Sequence, residues 1–206
     1  MQVTTQTVID DTRGWLERAV IGLNLCPFAK SVHVKGQVYY VVSRAQTASE
    51  FLQDLIVELQ GLVAADPVER DTTLLIAPDC LADFLDFNDF LAEADQVLVD
   101  LALDGVLQIA NLHPHYQFAG TRVDDITNFT NRSPYPTLHL LREDSIDRAV
   151  DAFPDAESIF ERNMETMERI GTKGWDALGV GRSQGCPHHA SAVTFVDTDG
   201  CDHKKS

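Results

Sequence analysis

Residues 73–112 decide the architecture: Thr73-Leu-Leu-Ile-Ala77, the stop Pro78-Asp79, a long helical run through Leu103, Gly105, and then Val106-Leu-Gln-Ile-Ala-Asn-Leu112. The first and last pieces are short apolar runs bounded by turn residues, which is the pattern of strands. Between them Phe84, Phe87, Leu91, Ala94, Leu98 and Leu101 recur at helical steps and give one apolar side. Gly105 is placed to cap the helix at its carboxyl end. A strand, a helix and a strand in this order predict a right-handed crossover between parallel strands.

Upstream, Val38-Tyr-Tyr-Val-Val-Ser43 is rich in β-branched and aromatic residues and reads as a further strand. The helix after it opens with the capping box Thr47-Ala-Ser-Glu50 and ends at Asp66-Pro67. Its apolar face is Phe51, Leu52, Leu55, Ile56, Leu59, Leu62 and Val63. Residues 4–25 predict a first helix, with Val8, Thr12, Trp15, Ala19 and Leu23 on one side and Cys26-Pro27 closing it. Downstream, a long loop spans residues 113–136, Thr137-Leu-His-Leu-Leu141 reads as a fourth strand, and helices follow over Ser145–Phe153 and Asp155–Ile170. Gly171 and Gly174 break the last one. The expected fold is α/β: helices packed on a small, mostly parallel or mixed four-stranded sheet. Residues 1–178 form the expected single domain. Residues 179–206 form a polar, flexible Cys/His-containing tail in which only Val193–Val196 has strand character.

The chain has 206 residues, 44% of them hydrophobic, enough to build a core without covalent staples. Its 32 acidic residues against 16 basic ones give a net charge of −16. Such a surface repels phosphate backbones and anionic lipid, so no nucleic acid and no membrane is expected as a partner. No basic-then-apolar leader is visible, no apolar run is long enough for a membrane helix, and the four cysteines include no CxxC pair. A soluble, cytoplasmic chain with reduced thiols is the expectation.

In open α/β sheets, ligands bind beyond the carboxyl ends of the strands. Those ends are Ser43-Arg44, Pro78-Asp79-Cys80, Asn111-Leu112-His113 and, were the fourth strand also parallel, Leu141-Arg142. Along the third strand Leu107, Ile109, Asn111 and His113 share a face that turns polar at its end. His113 is a candidate acid, base or metal ligand. His115 joins it on the same side if the chain stays extended, and the pair would suit a divalent transition metal. The competing assignment has His113 cap the strand and bond the backbone.

Tyr116 is a candidate proton donor. Arg132 and Arg142 are candidate grips for an anion, since a guanidinium fork matches a carboxylate or phosphate. Structural pairing competes for each. Cys26 is a candidate nucleophile if Lys30 or His113 activates it, and otherwise a small buried hydrophobe. His139, between Leu138 and Leu140, reads as a satisfied, partly buried histidine. Gly179-Val-Gly-Arg-Ser-Gln-Gly185 lacks the spacing of a phosphate loop. Cys186, His188, His189, Cys201 and His203 could in principle hold zinc or copper, yet match no standard spacing.

Three stretches are distinctive: Trp15-Leu-Glu-Arg-Ala-Val-Ile-Gly-Leu-Asn-Leu-Cys-Pro-Phe-Ala29, His113-Pro-His-Tyr-Gln-Phe118, and Asn131-Arg-Ser-Pro-Tyr-Pro-Thr-Leu-His-Leu-Leu-Arg142. Through them the chain resembles the uncharacterised bacterial proteins grouped as domain of unknown function 1415, from about the first helix to Gly179. The resemblance implies a stand-alone bacterial cytoplasmic protein and carries no reaction, cofactor or residue role. It implies Asp where this chain has His115, which leaves His113 the stronger of the two metal candidates.

Three functions compete at this level. One is a small enzyme acting on an acidic small molecule, with His113, Tyr116, Arg132, Arg142 and Cys26 at the sheet edge. Another is a metal- or small-ligand-binding protein without turnover, using His113 and His115. The last is an interaction module that docks through the 113–136 loop.

Overall fold

The computed structural model describes residues 3–151 and 158–183. The end of the helix expected at Phe153, the start expected at Asp155, the Val193–Val196 strand and the five Cys/His residues of the tail lie outside the described residues.

Four strands form one mixed sheet: β1 (Val38–Val42), β2 (Thr72–Ile76), β3 (Leu107–Leu112) and β4 (Thr137–Arg142), in the order β1-β2-β4-β3. β1 and β2 are parallel, while β4 runs antiparallel to both β2 and β3. β3 therefore points the same way as β1 and β2, as right-handed crossovers require. The gap between β2 and β3 is filled by the returning β4. Thr137 stands opposite Ile76 and Leu112, and Arg142 opposite Leu107. The carboxyl ends of β1, β2 and β3 thus meet the amino end of β4.

That reversal corrects the placement of Arg142. It lies at the opposite rim of the sheet, where its Nη2 donates to Leu62 O, Ala65 O and Arg70 O. These carbonyls surround the end of α3 (Ala48–Ala64), whose last turn has no basic residue of its own. Arg142 supplies the positive charge that a helix carboxyl terminus favours. It takes no part in a site at the other end.

Strand alternation separates two cores. On one face Leu75, Leu107, Leu138 and Leu140 pack against Phe51, Leu55, Leu59 and Leu62 of α3 and Phe87, Phe90 and Ala94 of α4 (Phe84–Asp100). Each of these buried Leu and Phe side chains contributes roughly 1.5–3 kcal/mol of transfer free energy. On the other face Leu74 and Ile76 meet Val8 of α1 (Thr5–Trp15) and Tyr135. Trp15, Leu16, Ala19, Val20, Met167 and Trp175 form a third cluster, which joins α1 to α6 (Ile159–Ala177).

Local chemistry accounts for the boundaries. Thr4 caps α1 by accepting from Thr7 N. At α3 the capping box forms with a shift: Thr47 accepts from Glu50 N, and Glu50 reaches back to Gln46 N rather than Thr47 N. α4 ends at Asp100, before the expected Leu103, with Ala102 at a φ of 56° and Gly105 turning the chain into β3. One helix falls outside the sequence expectation, and the helix expected from Ser145 begins two residues earlier. α2 (Ala29–Val34) is one short helix with no buried residue, so it carries no apolar stripe to detect. α5 (Glu143–Asp151) starts directly at the end of β4. Gly171, at a φ of 59°, kinks α6 without ending it.

The first helix also departs from α geometry. Leu16–Ile21 form a π-helical stretch, and Gly22 N bonds Glu17 O. A Cβ on Gly22 would lie 2.3 Å from the Arg18 carbonyl oxygen, far inside contact distance. Glycine at this position is what lets the backbone close up there. A Gly22→Ala variant is expected to lose about 1–3 kcal/mol of unfolding free energy in urea denaturation, the usual cost of overpacking. An unchanged midpoint would show that the backbone opens there freely.

Candidate functional site

A cleft of about 360 Å³ lies at the rim, lined by residues that follow β2 and β3 and precede β4. Its walls include Trp15, His115, Phe129, Arg132, Trp175 and Arg182. A wider groove runs beside β1 and α3, but its carboxylates are already engaged: Asp54 by Ser43 Oγ, Glu50 by Gln46 N and Glu58 by Arg70. In the rim cleft, Arg132 Nη1 and the terminal nitrogens of Arg182 have no hydrogen-bond partner among the described residues.

His113 sits beneath that rim, fully buried. Its Nε2 lies 3.1 Å from Leu81 O and its Nδ1 3.0 Å from His115 N. A carbonyl demands a donor and an amide demands an acceptor, so the ring is the neutral Nε2–H tautomer. Phe84 and Phe87 flank it at centroid distances of 5.4 and 5.1 Å. Burial pushes its pKa down to about 4, against the pull of the Leu81 carbonyl. Both ring nitrogens are engaged, which leaves no lone pair for a metal and no site for a substrate proton. His113 ties the loop after β2 to the turn after β3, which is the strand-capping assignment. The paired-imidazole arrangement fails for the same reason. His115, exposed on the cleft wall, stands alone as a ligand type, and among the described residues no group of three or more His, Cys, Asp or Glu is placed to hold a metal ion.

The 113–136 loop is ordered by Asn128, which is fully buried. Its Oδ1 accepts from Phe118 N and Thr121 Oγ1, and its Nδ2 donates to Arg122 O. Asp125 caps the 3-10 turn Ile126–Asn131 through Thr127 N and Oγ1, and those bonds hold its carboxyl below the usual range. Arg132 completes the loop: Nε donates to Tyr116 O at 3.2 Å, Nη2 to Val123 O at 2.7 Å, and the guanidinium lies 4.1 Å above the Phe129 ring. Its Nη1 faces no partner among the described residues. Burial lowers its pKa, but a guanidinium stays charged.

Tyr116 packs on Phe84 and Phe118, and burial raises its hydroxyl pKa. It lies outside the cleft lining. Cys26 joins the Trp15, Met167 and Trp175 cluster and also lies outside the lining. His139 stands mid-strand between Leu74 and Ala110, and burial pushes its pKa down to about 4. Of the residues read from the sequence as functional, the structure brings Arg132 and His115 to the cleft. His113 lies below it, and Cys26, Tyr116 and Arg142 lie elsewhere.

Asp11, Trp15, Trp175 and Arg182 escaped sequence reasoning as site residues. Trp15 showed only as part of an apolar stripe. Arg182 stood in a segment set aside as tail, although an arginine between glycines in so acidic a chain was a usable signal. Residues 178–183 are in fact bound to the body. Arg18 donates to Leu178 O and Gly179 O, Arg182 Nε to Pro134 O, and Ser183 N to Asp11 Oδ2.

A family model described as "Protein of unknown function (DUF1415)" matches residues 7–177. No curated protein matches the chain, and neither does any solved structure. No helix among the described residues is long and apolar enough to cross a membrane.

The neutral His113 ring has a consequence for stability. Its folded pKa, about 4, lies below the ordinary 6.5 of an unfolded chain. Below pH 6.5 the unfolded chain therefore takes up a proton that the folded one refuses, and stability falls as pH drops from 6.5 towards 4. His139 adds in the same sense. A His113→Gln variant is expected to show a shallower fall over this window in urea midpoints. It should also lose about 1–3 kcal/mol at pH 7 from the disrupted bonds to Leu81 O and His115 N. Equal slopes for variant and parent would contradict a buried neutral ring.

Proposed function

From a chain that belongs to the DUF1415 family, we propose a protein that binds an acidic small molecule in the cleft beyond the carboxyl ends of β2 and β3. One observation carries the reading. In a chain with 32 acidic residues, the cleft lining among the described residues contains no carboxylate, but two arginines and a histidine. At the chain's average content, roughly two of the twelve lining residues would be Asp or Glu.

Arg132 offers its Nη1 edge, held rigid by two carbonyls and the Phe129 face. Arg182 donates through Nε to Pro134 O and lies over the Tyr135 ring, and its terminal nitrogens have no hydrogen-bond partner among the described residues. Two such forks recognise a carboxylate or phosphate group. The cleft's other walls, Trp15, Phe129, Trp175 and Pro114, suit an apolar or flat body attached to that group. His115 is the lining side chain suited to carrying a proton, so a reaction in this cleft would use it. The net charge of −16 acts at longer range, and salt at cellular strength screens it beyond about 8 Å. A bacterial cytoplasm fits both the charge and the reduced thiols.

The chain's two tryptophans both line the cleft, so intrinsic fluorescence reports on it directly. Titration with phenyl phosphate is expected to give a saturable change, and phenol, which lacks the anion, none. Arg182→Ala should weaken phenyl phosphate about tenfold or more, the worth of one charge-assisted hydrogen-bonding group. Arg132→Ala should do at least as much, because it also loosens the loop. No saturable response at tens of millimolar, or an equal response to phenol, would refute the reading.

A further inference from the structure

Asp11 is a nearly buried carboxylate on α1, between Val8, Thr12 and Trp15. Such a group is costly to desolvate unless its oxygens are fully hydrogen-bonded. An aliphatic residue there would pack at lower cost. Its hydrogen-bond partners among the described residues are not cations. Tyr135 OH donates to Oδ2 at 2.7 Å, Ser183 N donates to the same oxygen at 2.8 Å, and Ser183 Oγ donates to Oδ1. Tyr135 is itself buried, so this anchor is set in the core.

The segment it holds is anchored at both ends. At the near end Arg18 Nε and Nη2 grip Leu178 O and Gly179 O at 2.8 and 2.9 Å. Gly14 gives Arg18 its path: a Cβ there would lie 2.9 Å from both terminal nitrogens of that guanidinium. At the far end Asp11 grips Ser183. Between the anchors, Gly179 and Gly181 take φ values of 60° and 146°, conformations that L side chains rarely adopt. Val180, Gly181 and Arg182 form one wall of the cleft. Arg182 is the residue next to the Asp11 anchor, and its guanidinium lies 4.8 Å above the Tyr135 ring.

Resting on the anion-binding reading above, we infer that residues 178–183 are a strap that carries Arg182 into the cleft, and that Asp11 is the positioning residue that latches it. Asp11 touches no ligand. It acts by ordering Arg182 before the anion arrives, so that the entropy of fixing a long side chain is not charged to binding.

Two measurements test the latch. In ligand-free protein, hydrogen exchange of the 178–183 amides is expected to quicken at least tenfold in Asp11→Ala, while β2 and β4 keep their protection. Phenyl phosphate affinity should fall about tenfold in the same variant. It should fall no further when Asp11→Ala is added to Arg182→Ala, because the latch works only through that arginine. Asp11→Asn should restore both readouts: its Oδ1 still accepts from Tyr135 and Ser183 N, and its Nδ2 can donate to Ser183 Oγ. Should Asp11→Ala not fold, Ser183→Ala loosens the same latch from its exposed side, with a smaller change in the same direction. Parent-like exchange at 178–183 in Asp11→Ala, or in Ser183→Ala where that variant stands in, would overturn the latch. So would an equal loss of affinity with and without Arg182. If the parent protein fails to bind phenyl phosphate, the anion reading falls, whereas the exchange measurement still decides the latch.

Discussion

β4 runs backwards between two strands that both run forwards, and much of the molecule follows from this. A chain leaving β3 at the carboxyl rim must come back to that same rim before it can enter β4 antiparallel to both neighbours. The 113–136 segment is therefore a loop confined to one edge of the sheet. Its last residues, Ser133-Pro-Tyr-Pro136, lie across the ends of β2 and β3, and Ala77 N bonds Pro136 O at that crossing. Arg132 is delivered to the rim as a direct result. Arg142, at the far end of the same strand, is carried to the other rim and becomes a cap for α3.

The rim is then held by polar groups with no solvent of their own. His113, Asn128 and Asp11 are each nearly or fully buried, and each satisfies its hydrogen-bonding capacity with main chain or hydroxyls. His113 and Asp11 join segments far apart in sequence, Leu81 to His115 and α1 to Ser183, while Asn128 pins Phe118, Thr121 and Arg122 within one loop. An apolar residue could fill the volume but could not fix the register of two loops. Removing any of them would leave buried partners unsatisfied, which costs more than the bond contributes. Burial also keeps His113 neutral, so its ring can accept and donate at once.

Charge is sorted in the same way. Across most of the chain, arginines meet carboxylates or carbonyls close by: Arg44 with Asp79, Arg70 with Glu58, Arg122 with Asp124. At the cleft two guanidiniums are fixed by carbonyls, which use some of their donors, and no carboxylate stands among the lining residues described.

The sequence by itself determined the α/β class, the strands and the long helices, because period-2 and period-3.6 apolar patterns arise from local geometry that every chain shares. It also pointed to the carboxyl ends of the strands, the rim where the cleft lies, because ligands of open α/β sheets bind beyond those ends. It did not determine the direction of β4, because Thr137–Leu141 alternates alike whichever way it runs. It could not choose between a catalytic and a structural His113, because that depends on whether Leu81 and His115 reach its two nitrogens. Arg182 and Asp11 stand 171 residues apart, and only tertiary packing brings the segment after one beside the helix that carries the other. Local patterns are written in neighbouring residues. Which polar groups meet is settled by the closing of the whole sheet.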